Sequence, residues 1–311
     1  MRILVTGGAG FIASEIAAAY IDRGHEVTVV DSLVRGNRER VPAGASFCQV
    51  DINDPDLEAV FATASFDVVS HHAAHVSVRE SLDDLEFDAR SNIQGTLSVL
   101  RLATQYGVKK FIYAGTVAAY GEPVALPVTE DHPMRPMNPY GISKSAAEQY
   151  ISFYGLAKGL QCVKFRYANV YGPHADTQGE AGVVTIFADL MVKGKRPTIF
   201  GDGEQTRDFV FVGDVVRANI AALDYPQSDC FNISTNTEIT VNELYATMAR
   251  LIGYGGKPSY EQAKAGEVLR IYLDNSKARS LLHWEPTTSL EEGLAQVAAN
   301  FAKRAEIGQG R

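Results

Sequence analysis

Arg2-Ile3-Leu4-Val5-Thr6-Gly7-Gly8-Ala9-Gly10-Phe11-Ile12-Ala13 opens the chain with an apolar run, a glycine turn and the start of a helix-length segment. The run reads as a buried strand ended by Gly7-Gly8. Residues 11–22 read as a helix by length and alanine content. Residues 25–31 form a second β-branched run, and 46–51, 66–70 and 110–114 repeat it, with helix-length segments between. Strands alternating with helices at this spacing predict βαβ units and a doubly wound α/β parallel sheet. Such sheets bind ligands outside the carboxyl ends of their strands, so the residues that act are expected just after strands.

The second half is less regular. Pro, Asp and Gly thicken around 121–139, 172–182 and 201–208. Strand-like runs recur at 209–212 and 230–233, and helix-like runs at 240–252 and 289–305. The shift after about residue 170 predicts a second, smaller domain interleaved with the first. No internal repeat or low-complexity tract interrupts the 311 residues. Hydrophobic residues make up 46% and charged residues 21%, which argues against disorder. With 29 Lys and Arg against 37 Asp and Glu, the formal charge is −8, the wrong sign for a general nucleic-acid binder. Cys48, Cys162 and Cys230 form no CxxC pair and suit a reducing compartment. No signal-like segment and no apolar run of about 18 residues is visible, so a soluble cytoplasmic protein with no membrane partner is expected.

In residues 7–13, small side chains let the backbone turn tightly and approach a pyrophosphate held at the positive end of the following helix. Gly7, Gly10, Phe11 and Ile12 are the cofactor candidates in this loop. Asp31 ends the next strand, 21 residues after Gly10. An acid there accepts from the adenosine ribose hydroxyls and repels a 2′-phosphate, which favours NAD. Arg35 nearby leaves NADP open. Asp51, with Ile52 after it, reads either as an adenine contact or as a plain loop aspartate.

Asn138-Pro139-Tyr140-Gly141-Ile142-Ser143-Lys144 carries a helix start, since Asn is a good N-cap and proline suits the first turn. Tyr140 and Lys144 then share one face. An ammonium beside a phenol at a helix N-terminus favours the phenolate, giving a general base near neutral pH. Thr116 follows the strand at 110–114, where its hydroxyl reads as a partner for a reacting sugar oxygen or as a turn threonine. His71 and His75 stand four apart, but no partnering cysteines or clustered acids support a metal pair, and none is expected.

Together the glycine loop, Asp31, Thr116-x-x-x-Tyr120-Gly121 and Tyr140-x-x-x-Lys144 resemble the extended short-chain dehydrogenase/reductases, and within them the UDP-glucose 4-epimerase group of nucleotide-sugar enzymes. The resemblance runs through nearly the whole chain. It includes His72-Ala73-Ala74, Asn92, Arg166 to Pro173, Gly201 to Phe209, Gly266-Glu267 and Asp274-x-Ser276-Lys277-Ala278. It implies a seven-stranded Rossmann domain over 1–170 with 207–233, and an α/β domain over 171–206 and 234–311 that holds a nucleotide-diphosphate sugar. It implies NAD as cofactor, with Ala73 beside it, and a homodimer built on helices at about 88–106 and 139–158. The implied reaction is 4-epimerisation through a transient 4-keto sugar, as between UDP-glucose and UDP-galactose. Tyr140 would act as base, with Thr116 on the 4-oxygen and Lys144 on the nicotinamide ribose and the phenolate. Asn169 and Arg207 would contact the substrate diphosphate, with Lys264 and Glu267 as further substrate contacts. A salt bridge between Arg207 and Asp208 is the alternative for that arginine.

Three departures from the family pattern stand out. Ala13 replaces the third glycine of the loop. Lys264 stands where an arginine is usual, which loses the bidentate fork. Ile271 occupies a position that bounds the sugar pocket in epimerases, and its size predicts tolerance of N-acetylated sugars. Val117-Ala118 after Thr116 lacks the acid of related dehydratases and decarboxylases, which favours simple epimerisation. Sugar reduction is the weaker rival because Asp31 disfavours NADPH, and an epimerase of uronic acids or N-acetyl sugars, a dehydratase or a reductase is the alternative. A non-catalytic dinucleotide sensor would need the glycine loop but not Tyr140 and Lys144.

Overall fold

The computed structural model describes residues 1–175, 182–263 and 268–309. The first half runs β1 (Arg2–Thr6), α1 (Phe11–Asp22), β2 (Glu26–Asp31), β3 (Ser46–Gln49), α2 (Leu57–Thr63), β4 (Val68–His71), α3 (Val78–Asp83), α4 (Leu85–Ala89), α5 (Gly95–Gln105), β5 (Lys110–Thr116) and α6 (Pro139–Lys158). Then follow β6 (Gln161–Tyr167), β7 (Asn169–Tyr171), α7 (Val183–Val192), β8 (Thr198–Phe200), β9 (Thr206–Arg207), β10 (Phe209–Phe211) and α8 (Val212–Asp224). The chain ends with β11 (Asp229–Ile233), β12 (Ile239–Thr240), α9 (Val241–Ile252), β13 (Ser259–Glu261), α10 (Ser276–Leu282) and α11 (Leu290–Gln309).

Among the described residues the main sheet has seven strands in the order β11-β6-β5-β4-β1-β2-β3. Every neighbouring pair is parallel. Ile3 to Thr6 of β1 are fully buried, as expected of a strand covered by helices on both faces. The core on one face includes Ile16 and Tyr20 of α1 with Val215 and Ala222 of α8. The other includes Leu57 and Phe61 of α2, Leu100 of α5 and Ile151 of α6. A third core, away from the sheet, joins Phe187 of α7, Leu244 of α9 and Val297 of α11.

The alternation of strands and helices read from the sequence is the one observed. Its long helix over 88–106 is corrected: the chain is helical there, but residues 90–94 form a π-helical turn between α4 and α5. The strand β6 is absent from the sequence reading. Its interior alternates apolar residues with Lys164 and Arg166, and the polar pair masks its burial.

Arg166 is tied down by a buried ion pair. Its Nε donates to Glu148 Oε2 at 3.0 Å and its Nη2 to Oε1 at 2.6 Å. Nη1 donates to Tyr120 Oη and to the Glu130 carbonyl, both at 2.8 Å. Tyr120 in turn donates to Asn232 Oδ1 at 2.7 Å. Glu148 lies on α6 and Arg166 on β6, so the pair fastens α6 to the sheet. Burying two charges is costly unless each finds its partners, and here both do. Glu148→Ala strands the guanidinium and is expected to lower stability by about 3–5 kcal/mol, whereas Glu148→Leu with Arg166→Met together costs far less. Guanidinium unfolding of both variants checks this, and equal losses would contradict it.

Candidate functional site

The turn after β1 sits where the strand order reverses, with β1 to β3 running one way and β4 onward the other. Gly7 has φ +71°, and its amide donates to the Val30 carbonyl at 2.8 Å. A Cβ there would stand 2.7 Å from the Ala73 nitrogen, so only glycine lets the turn lie against the chain leaving β4. Gly10 N-caps α1 without a side-chain cap, and no acid occupies the first turn. The leading amides of α1 and its positive end are therefore left to an anion, and the cradle fits a dinucleotide pyrophosphate.

Asp31 ends β2 and is 9% exposed. Its Oδ2 accepts from Ala9 N at 3.0 Å and its Oδ1 from Leu33 N at 2.8 Å. It thus braces the glycine loop, which the sequence reading did not foresee. Burial pushes its carboxyl up, and the two amides pull it back. Leu33 adopts φ +60°, a left-handed conformation that turns the chain round the carboxylate. Asp51 is exposed and accepts from Asn53 N at 2.8 Å. Ile52 is buried against Gly95, where a Cβ would meet its Cδ1 at 2.4 Å.

At the end of β4, Thr6 Oγ1 accepts from the amides of His72 and Ala73, each at 3.2 Å, and lies 2.7 Å from His71 Nδ1. His71 Nε2 lies 3.0 Å from Thr96 Oγ1. Two hydroxyls thus occupy the His71 ring. His75 is buried, with Nδ1 2.9 Å from Asp88 Oδ1. Both nitrogens of each ring thus have side-chain partners other than a second histidine.

The start of α6 follows its sequence signals: Asn138 Oδ1 accepts from Gly141 N at 2.8 Å and Pro139 fills the first turn. Tyr140 N donates to Ser81 Oγ at 3.2 Å. Ser143 Oγ donates to the Tyr140 carbonyl at 3.1 Å and accepts from Asn92 Nδ2 at 2.9 Å. Asn92 occupies the π-turn, so that irregularity aims an amide at the first turns of α6. Tyr113 of β5 donates to the Lys144 carbonyl at 3.1 Å, and Lys144 Nζ lies 4.3 Å from the Tyr113 ring centre. Lys144 itself is only 5% exposed.

Thr116 ends β5, and its Oγ1 accepts from Ala118 N at 3.2 Å. A Cβ on Gly141 would come within 2.6 Å of the Ala118 carbonyl. The turn after β5 and the first turn of α6 are therefore in backbone contact, which brings Thr116 and Tyr140 to one place. Ser81, Asn92, Tyr113 and Ser143 support this junction. Asn92 stood out only by resemblance, and the other three carried no sequence signal.

Asn169 lies against Asp208, the residue that follows Arg207. Asn169 pairs in register with Phe209 between β7 and β10. Asn169 N and Nδ2 both donate to the Asp208 carbonyl, at 2.9 and 3.1 Å. The Asp208 carboxylate accepts from Thr235 N and Oγ1, Asn236 N and Leu273 N. These donors surround it, although burial still pushes its carboxyl up to about 6. Arg207 Nη1 donates to the Thr206 carbonyl at 2.7 Å. Ile271 is 4% exposed and lies in the core that α1 and α8 share with the sheet. Lys264, Gly266 and Glu267 lie outside the described residues.

The family model described as the NAD dependent epimerase/dehydratase family matches residues 3–234. A UDP-glucose 4-epimerase from Mycolicibacterium smegmatis is 38% identical over 313 residues, spanning 98% of this chain and all of that protein. The crystal structure of UDP-glucose 4-epimerase from Thermotoga maritima with UDP-glucose is similar at a TM-score of 0.96 and 43% identity, over 98% of this chain and 100% of that one. The Thermus thermophilus UDP-glucose 4-epimerase complex with NAD has a TM-score of 0.91 at 40% identity, over 97% of this chain and 99% of that one.

Burial, and then the charge of Lys144, push the His71 and His72 rings down, His72 to about 3. The folded chain keeps both neutral while the unfolded chain protonates them below about pH 6.5. Stability is therefore complete above that pH and falls as the pH drops toward the folded values. Each ring contributes a slope of about 1.4 kcal/mol per pH unit. Urea unfolding between pH 7.5 and 5 should show the fall, made shallower below about pH 6 by Asp208, whose raised carboxyl takes up a proton in the folded chain, and His72→Asn should reduce the fall. A flat profile would rule out the neutral pair.

Proposed function

Because the chain belongs to the NAD dependent epimerase/dehydratase family, we propose that it interconverts UDP-glucose and UDP-galactose by epimerisation at C4 of the sugar. It is an NAD-dependent nucleotide-sugar 4-epimerase of the extended short-chain dehydrogenase/reductase type. The observation that carries this reading is the backbone contact of Gly141 with Ala118. It supports the reading because it presses the turn that follows Thr116 against the first turn of α6, the helix that carries Tyr140 and Lys144.

Bound NAD supplies a hydride acceptor that returns the hydride, so the sugar is left with no net oxidation. The rest is chemistry of the chain. Tyr140 takes the proton of the sugar 4-hydroxyl and gives it back to the 4-keto sugar once that has turned. The Lys144 ammonium and the start of α6 favour the phenolate. Ala118 N already occupies the Thr116 oxygen as donor, which leaves the Thr116 hydrogen for the sugar 4-oxygen. Gly7, Gly10, Phe11, Ile12 and Ala73 line the dinucleotide, with Asp31 on the adenosine ribose and Asp51 and Ile52 toward the adenine. Asn169 and Arg207 hold the substrate diphosphate, Arg207 through its planar fork. Lys264 and Glu267, outside the described residues, are further substrate contacts on the family resemblance.

On this reading residues 1–170 and 207–233 serve the dinucleotide, and 171–206 with 234–311 serve the nucleotide sugar. Support comes from β11 joining the main sheet while α7, α9 and α11 share their own core. We assign the enzyme to the cytoplasm. Among the described residues no helix is long and apolar enough to cross a membrane.

A second copy of the chain covers the outer face of α6. Ile142, Tyr150, Phe153 and Leu156 stand exposed there, and Val78, Leu82 and Leu85 beside them on α3 and α4. An apolar stripe on three touching helices suits an isologous dimer. Phe153→Glu is expected to halve the sedimenting mass, and an unchanged mass would refute the dimer through this face.

Tyr140→Phe should lower kcat by about a thousandfold while the dinucleotide still binds. A proton-NMR time course with UDP-glucose and UDP-galactose, with no reductant added, reads both directions. Retained turnover in the variant would reject Tyr140 as base. A fixed ratio reached from either sugar by the wild type would support the assignment.

A further inference from the structure

We propose that Glu80 enforces the choice of NAD over NADP by engaging the guanidinium of Arg35. The proposal rests on the reading that a dinucleotide lies along the turn after β1 with its adenosine at Asp31. In dinucleotide folds of this kind, an arginine near the acid that ends the second strand is the group that accommodates a 2′-phosphate. Arg35 has that place. It lies in the turn that wraps the Asp31 carboxylate: Leu33 N donates to Oδ1, and a Cβ on the adjacent Gly36 would stand 2.5 Å from the same oxygen. Asn37 N donates to the Ala9 carbonyl at 3.0 Å, which fixes the far end of the turn to the glycine loop. By backbone position alone this chain is equipped to take the phosphorylated cofactor.

The side chain goes elsewhere. Arg35 Nη2 donates to Glu80 Oε2 of α3, across from the turn after β2. Glu80 is itself held. Its amide is capped by Ser77 Oγ at 3.2 Å, and its Oε2 lies 3.3 Å from His75 Nε2. The His75 ring is braced from within by Asp88, and Asn92 Nδ2 donates to the same Asp88 oxygen at 3.1 Å. A continuous run of polar contacts thus leads from the protein interior to Arg35 and sets Glu80 as its partner.

The consequence is electrostatic. A free guanidinium would meet a 2′-phosphate with two parallel hydrogen bonds. Paired with Glu80 it offers little net charge, and a phosphate dianion then faces two carboxylates, Asp31 and Glu80. The unphosphorylated ribose hydroxyls meet no such penalty. Glu80 touches no reacting atom, so it is a positioning residue that acts through Arg35.

The test is fluorescence titration of NADH and NADPH into the purified protein, freed of resident dinucleotide, for the wild type, Glu80→Gln, Glu80→Asp and the double variant Glu80→Gln with Arg35→Gln. Wild type is expected to prefer NADH. Glu80→Gln should raise NADPH affinity by about tenfold, the scale of one hydrogen bond to a charged group, and change NADH by less than about twofold. Glu80→Asp should keep the wild-type ratio, and the double variant should return to it. An unchanged ratio in Glu80→Gln overturns the proposal. So does a gain that persists once Arg35 is gone. Both results leave the epimerase reading standing, because they are read from binding rather than turnover. Wild type that binds neither dinucleotide overturns both.

Discussion

Two backbone segments can touch only where neither carries a side chain between them, and this chain depends on two such contacts. Gly7 lies against Ala73, and Gly141 lies against the Ala118 carbonyl. The first closes the gap between β1 and β4 at the point where the strand order reverses. The second presses the first turn of α6 onto the turn after β5. Glycine is required at each for a different reason. Gly7 needs both a left-handed conformation and space, whereas Gly141 is an ordinary helical residue that needs space alone. A methyl group at either would push apart the elements that carry the candidate residues.

Polar contacts then hold what the glycines allow. Asp31 fastens the glycine loop through Ala9, Thr6 gathers the amides of His72 and Ala73, and Asn92 reaches Ser143 beneath Tyr140. Glu148 and Arg166 repeat the principle two turns further along α6. Each of these groups is buried or nearly so, and each is met by several partners. A buried polar group without a partner would cost more than the contact contributes, so the network holds together only as a whole. The shared effect is rigidity around an edge where a sugar and a dinucleotide have to meet at fixed separation.

The same network crosses from the adenosine side to the chemical side. Glu80 pairs with Arg35 near Asp31, and through His75, Asp88 and Asn92 it connects to the helix that carries Tyr140 and Lys144. The turn after β2 and the start of α6 thus draw on one set of supports. This explains why the segment from 74 to 81, a loop running into α3, carries His75, Ser77, Glu80 and Ser81.

Much of this was legible along the chain. Alternating apolar runs and helix-length segments specify a parallel sheet because burial on both faces leaves a period that neighbours cannot override. The glycine loop, Asp31 and the Asn138-Pro139 start of α6 are local signals, since turn, cap and first-turn preferences act over a few residues. Tyr140 and Lys144 share a face for the same reason. Three things were decided only by the tertiary structure: the seat of Thr116 beside α6, the seat of Asn169 against Asp208, next in chain to Arg207, through β7 and β10, and the π-turn that aims Asn92. Pairings between residues tens of positions apart depend on which helix packs on which strand. So does the partner of Arg35: position alone marks it as a phosphate ligand, and a carboxylate 45 residues away draws its charge aside.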